Sequence, residues 1–283
     1  MDLRLRGKRA LVTGSTSGIG FAIARCLARE RAEVIVNGRT EDKVVDAVQR
    51  INSDVGSHSY GIVADLSSAT GVELLAQEAG RIDILVNNVG IFEPKPFLEI
   101  SDEDWFRFFE INVMSGVRLS RALLPHMLER DWGRIIFISS ESGVQIPEEM
   151  IHYGMTKTAQ LAVSRGIAES VAGTGVTVNA VLPGPTKSEG VVDFLGKVAA
   201  EHGSDTAESR RSSCARCAPP PSSSGLRCRK RWRTSSPIFA VKARLPRRAQ
   251  PSASTAAWCG ASFSACGSTA VRRRPECHPP SSE

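Results

Sequence analysis

Cysteine is nearly absent from the first two thirds of this 283-residue chain: Cys26 alone precedes Thr206. A single thiol excludes a disulfide framework there, and the expected setting is the reducing cytoplasm. No apolar run is long enough to span a membrane, and the start M-D-L-R-L-R-G-K-R lacks an apolar signal core. No internal repeat or heptad is evident. In the last third the missing residues are acids. From Thr206 onward 3 Asp+Glu stand against 15 Lys+Arg, whereas residues 1–205 hold 27 against 21. The overall net charge of +6 thus averages two unlike parts, an acidic globular domain at 1–205 and a basic tail at 206–283.

In the first part, apolar strand-like stretches at 9–13, 33–37, 59–64, 82–86, 134–138 and 176–181 alternate with helix-like ones. The helical stretches are 18–29, 41–51, about 102–130 and a last one running from Tyr153 to about 172. Continuous apolar strands separated by helices predict an α/β fold, a parallel sheet covered on both faces.

Two sequence features carry chemistry. The first strand runs into T-G-S-T-S-G-I-G, Thr13 to Gly20. Gly14, Gly18 and Gly20 allow a tight turn, and the following helix points its first N–H groups at the gap, a ready site for a pyrophosphate. The second feature is Tyr153 and Lys157 in I-H-Y-G-M-T-K. Four residues apart on a helix, they share one face. A neighbouring ammonium favours the phenolate and draws the tyrosine pKa toward neutrality, which suits proton exchange with an alcohol or carbonyl oxygen. His152 points another way and reads as a pocket wall or surface residue.

With N-N-V-G at Asn87 to Gly90, Asn112, Ser140 and P-G-P-T at Pro183 to Thr186, these motifs resemble the classical short-chain dehydrogenase/reductase family over about residues 5–195. The resemblance implies a Rossmann-type doubly wound sheet, an NAD or NADP cofactor, and dimers or tetramers, though the tail puts assembly of this chain in doubt. It implies that Gly14, Ser15, Ser17, Gly18, Ile19 and Gly20 surround the phosphates and that Asp65 meets the adenine. Asn88 and Gly90 are expected at the adenine ribose, and Pro183, Gly184 and Thr186 near the nicotinamide. Asp65 also reads as a helix N-cap.

The resemblance further implies a catalytic group of Asn112, Ser140, Tyr153 and Lys157. Asn112 would hold a water in a proton relay, and Ser140 would hydrogen-bond the substrate oxygen. Lys157 would bond the nicotinamide ribose, and hydride transfer would be accompanied by a proton from Tyr153. No metal is expected. At the end of the second strand, where an acid would bind the ribose 2′-hydroxyl of NAD, the chain has Asn37-Gly38-Arg39. Arg39 can pair with a 2′-phosphate, so NADP(H) is expected over NAD(H). Within the family the resemblance is to 3-oxoacyl-[acyl-carrier-protein] reductase-like members acting on a small carbonyl or alcohol. Two alternatives are an NAD-linked dehydrogenase of sugars or secondary alcohols, and a nucleotide-binding remnant impaired in turnover.

The tail supports neither a zinc site nor a nucleic-acid motif. Cys214 and Cys217 form a C-x-x-C without a second pair, and the arginines have little aromatic interleaving. Disorder suits the composition. A shifted reading frame explains it better. Taking the third base of each codon with the first two of the next, Arg247 to Cys259 permits T-G-A-A-L-R-V-D-G-G-V-V, and Arg229 to Ala240 permits a stretch E-E-V-A-N-L-V-A-Y-L. These strings resemble the family's last strand and the helix before it, so the chain is expected to lack both, with the slip between about residues 205 and 212.

Overall fold

A computed structural model describes residues 3–184. The expectations for the tail, the frame slip, the missing last strand and helix, and Thr186 lie outside the described residues. Within them the chain alternates β1 (Arg9–Val12), α1 (Gly18–Arg29), β2 (Glu33–Gly38), α2 (Glu41–Val55), β3 (Tyr60–Val63), α3 (Ala69–Ala79) and β4 (Ile84–Asn87). There follow α4 (Asp102–Phe109), a π turn (Glu110–Met114), α5 (Ser115–Glu129), β5 (Gly133–Ile138), α6 (Ile151–Ser170) and β6 (Val176–Val181). All strand pairs are parallel, in the order β3-β2-β1-β4-β5-β6. This is the parallel α/β sheet expected from the alternation of elements, in the doubly wound, Rossmann-type order that the family resemblance implies.

Strands β1, β2, β4 and β5 bury both faces, as the unbroken apolar runs require, while β3 and β6 leave alternate residues exposed. Leu11, Ile35, Leu85, Ile135 and Phe137 face a core closed by α3, α5 and α6. Ala10, Val12, Val34, Val36 and Val86 face a second core closed by α1 and α2. Burying one such Leu, Ile or Val contributes about 1.5–3 kcal/mol, so the two layers hold the strands in register. Strand order reverses between β1 and β4, opening a crevice at their carboxyl ends.

Helix α3 was not marked in the sequence, and its start corrects one expectation. Its N-cap is Ser68, whose hydroxyl accepts from the Gly71 N–H at 3.1 Å. Asp65 instead accepts from the Ser67 N–H at 3.0 Å, closing a local turn ahead of the helix. The long helical region at 102–130 is also interrupted. The π turn, Glu110–Met114, divides it around Asn112.

Candidate active site

The turn after β1 is built for close approach. Gly14 and Gly18 both have φ of 58°, in the left-handed region that glycine enters without Cβ strain. A Cβ on Gly20 would lie 2.5 Å from the Gly14 carbonyl oxygen and 2.6 Å from Asn88 Nδ2, so only glycine fits. Asn88 pins the turn from β4: its Nδ2 donates to the carbonyls of Thr13 and Gly14 at 2.9 and 3.0 Å. Ser15 is fully buried, donating to the Val12 carbonyl and accepting from the Asn37 N–H. Its side chain braces the turn from within instead of facing outward.

Ser17 is the exposed N-cap of α1, makes no capping bond, and no acid occupies the helix's first turn. The positive end of the helix dipole, with its first N–H groups, is therefore left without a side-chain acceptor. Half-buried Ile19 packs on the core behind it. These residues fit the pyrophosphate of a dinucleotide. Farther along the same edge, Arg39 follows β2 on the exposed surface, and no acid pairs with it among the described residues. Asp65 is exposed just beyond β3.

The second half of the site gathers on α6, β5 and the π turn. Ser140 caps the short turn Glu141–Gly143, and its hydroxyl hydrogen-bonds the Tyr153 phenol. Tyr153 lies edge-on to Phe92 at 6.3 Å. Lys157 is 4% exposed. Its Nζ donates to the Ile138 carbonyl at 2.9 Å and to Gln160 Oε1 at 3.3 Å, and lies 5.6 Å from the Tyr153 ring centre. Gly90 links the two halves, because a Cβ there would come within 3.3 Å of Lys157 Nζ and 3.4 Å of Asn112 Oδ1. Pro183 sits beside Ser140, its carbonyl accepting from the Glu141 N–H at 3.1 Å, and exposed Gly184 follows it.

Electrostatics differ from the expectation in one respect. Burial pushes the Tyr153 phenol above the ordinary tyrosine value, opposed by the Ser140 hydrogen bond. Lys157 exerts no resolved downward pull on it. Its own pKa falls to about 8 through burial, and its hydrogen bonds go to Ile138 and Gln160.

Asn112 is held in place by its side chain, and His152 departs from its reading. The Asn112 side chain is fully engaged: Oδ1 accepts from the Ile91 N–H at 2.7 Å, and Nδ2 donates to the Ile91 carbonyl and to Thr156 Oγ1, both at 3.0 Å. His152 is neither a pocket wall nor a surface residue. It is 0% exposed, 4.0 Å from the Phe108 ring and 6.0 Å from Trp105, and points away from Tyr153 into the α4 contact. Sequence reasoning missed Ser139, Thr156 and Gln160, which hold Lys157 and Asn112 in place. The spacing of Lys157 and Gln160, one helical turn apart, was the available signal. Among the described residues no cluster of His, Cys, Asp and Glu is arranged to hold a metal, and no helix is long and apolar enough to cross a membrane.

Comparison with known proteins agrees with this geometry. Residues 8–195 match the family model described as short chain dehydrogenase. An uncharacterized oxidoreductase of Bacillus subtilis strain 168, YvaG, is 51% identical over 199 residues, covering 70% of this chain and 75% of that protein. The 3-oxoacyl-[acyl-carrier-protein] reductase FabG of Escherichia coli K12 is 35% identical, covering 64% and 75%. Among solved structures, L-sorbose reductase from Gluconobacter frateurii, complexed with NADPH and L-sorbose, superposes with a TM-score of 0.73 at 31% identity, covering 77% and 85%. With this sheet, this turn and these relatives, the chain belongs to the short chain dehydrogenase family and is an NAD(P)-dependent oxidoreductase.

Proposed function

We propose that the protein reduces a ketone to a secondary alcohol with NADPH, or runs the reverse reaction, with Tyr153 as the proton donor and acceptor. One arrangement carries this reading. Tyr153, hydrogen-bonded to Ser140, stands one helical turn from the buried Lys157, whose ammonium lies against Gly90.

The cofactor's phosphates would lie against Gly14, Ser17, Gly18, Ile19 and Gly20, with Ser15 and Asn88 bracing the turn. Asp65 would meet the adenine and Gly90 the adenine ribose, and Pro183 and Gly184 would lie toward the nicotinamide, where Thr186 is also expected. Arg39 supports NADPH over NADH, because a guanidinium pairs bidentately with a phosphate dianion. When bound, the dihydronicotinamide supplies a hydride, two electrons and one proton's mass, to the carbonyl carbon. Tyr153 gives its phenolic proton to the carbonyl oxygen. Ser140 donates a hydrogen bond to the same oxygen as charge grows there. A protonated Lys157 stabilises the phenolate left behind, and its low pKa lets it return a proton near neutral pH. Asn112 fixes the π turn against α6 and Ile91.

A short 3-oxoacyl thioester and a ketose are the first substrates to try, given the relatives at 35% and 31% identity. The test is ketone-dependent NADPH oxidation. Tyr153→Phe is expected to cost about 10²–10⁴-fold in kcat, the usual worth of a positioned acid. NADPH is expected to quench protein fluorescence at lower concentration than NADH, with the variant binding as the parent does. Full activity in the phenylalanine variant would end this reading, and equal affinity for the two cofactors would end the role of Arg39.

A further inference from the structure

Gln160 lies one turn beyond Lys157 on α6 and is 2% exposed. Its two amide ends do different work. Oε1 accepts from the Lys157 ammonium at 3.3 Å, while Nε2 donates to the Asn112 backbone carbonyl at 2.5 Å. The orientation is fixed by chemistry: turning the amide over would set its NH₂ against an ammonium and its oxygen against a carbonyl. Asn112 belongs to the π turn, whose altered bonding presents this carbonyl to α6. The contact closes a ring. Asn112 Nδ2 donates to Thr156 Oγ1, Thr156 Oγ1 donates to the Tyr153 carbonyl at 2.7 Å, and Tyr153 and Lys157 are successive-turn neighbours on the same helix.

We propose that Gln160 is a positioning residue for the reaction: it tethers the Lys157 ammonium to the π turn and sets how readily Lys157 keeps its proton. The proposal rests on the reading of Lys157 as part of the catalytic group. Among the described residues no charged side chain makes an ion pair with Lys157, so its contact with Gln160 acts on it directly. Burial is the one resolved cause of its low pKa. Charged groups on the elements packed against α6 are Asp102, Glu103, Asp104 and Arg107 of α4, Glu110 of the π turn, Glu141 after β5, Glu148 and Glu149 before α6, and Arg134 of β5. None has a resolved interaction with Lys157, and Tyr153 is the titratable group facing it among the described residues.

An NMR titration of the Lys157 side chain in the full chain without cofactor tests this, with the parent, Gln160→Met and Gln160→Glu compared. Methionine fills the space but offers no strong acceptor, and Lys157 is expected to lose its proton at a pH lower by at least half a unit. Glutamate adds a charge, and the shift is expected in the opposite direction. The acid limb of the kcat–pH profile is expected to move with each variant while KM for NADPH changes less than about twofold. Unchanged Lys157 titration in either folded variant would overturn the proposal, as would a loss of activity accompanied by a matching rise in KM and no change of pH profile. If the titration shifts as stated but the parent oxidises no NADPH with any ketone, the tether stands and the proposed reaction falls.

Discussion

His152 shows what a single misplaced polar group costs. Both ring nitrogens are buried without a hydrogen-bond partner among the described residues, and the ring packs on Phe108 and Trp105. Burial lowers its pKa, with Asp104 and Glu93 pulling the other way and Arg107 and Lys95 assisting. A histidine held neutral in the fold but free to protonate when unfolded stabilises the unfolded state as pH falls. Above the ordinary value near ~6.5 neither state is charged and nothing is lost. Below it the unfolded chain binds the proton first, so stability declines as pH drops toward the folded-state value. Urea denaturation at pH 7.0 and 5.5 should show this loss in the parent and a smaller one in His152→Phe. An equal loss in both would place the acid sensitivity elsewhere. The sequence hid this residue because α6 turns an unusual face inward. His152, Thr156, Lys157, Gln160 and Ser164 are buried there, so apolar periodicity does not mark the packed side. Tyr153 and Lys157 were legible because their spacing alone places them together. Gln160 was not, since its partner Asn112 lies 48 residues away and meets it only through the π turn.

At the scale of an element, glycines on one helix and one turn have opposite meanings, and substitution separates them. Gly20 opens α1 where a Cβ would press on the backbone of Gly14 and on Asn88. Gly166 lies exposed inside α6 with nothing within 4 Å of an added Cβ. Gly166→Ala should therefore stabilise the protein by about 0.5–1 kcal/mol, the entropy that glycine loses in a helix, and leave NADPH binding unchanged. Gly20→Ala must move the turn and should weaken NADPH binding at least tenfold, while overpacking costs about 1–3 kcal/mol. Fluorescence titration and denaturation of the two variants check both. Wild-type affinity in Gly20→Ala would show that the turn does not hold the cofactor. The glycine turn and the strand series were readable because each rests on local chemistry. Helix α3 escaped because A-T-G-V-E-L-L-A-Q-E-A combines a glycine and alanines with few strong apolar residues, and its burial against β3 and α5 is a tertiary outcome.

For the whole molecule, the sheet's far edge decides stability. Among the described residues β6 pairs only with β5, burying Val176 and Val178 while Thr177 and Asn179 stay exposed. A parallel strand is made to be covered on both faces, and an edge of this kind gains from one more strand and the helix that crosses to it. The tail from about residue 206 is read here as the product of a slipped frame, and the shifted reading permits such a helix and strand, ending in V-D-G-G. A chain carrying that reading from the slip onward is expected to be more stable than the present one. A gain of about 2 kcal/mol corresponds to roughly 4–8 °C in Tm for a domain of this size. NADPH would raise Tm further in the corrected chain, by mass action on the folded state. The coding DNA makes the first check: a stop in the shifted frame before V-D-G-G removes the idea outright. If the frame is open, thermal melts of both chains decide the rest. Equal Tm and equal ketone reduction would mean that residues 1–205 carry the fold and the chemistry unaided. A higher Tm with activity only in the corrected chain would place the catalytic group in a protein that keeps its tyrosine but not the walls that hold a substrate against it.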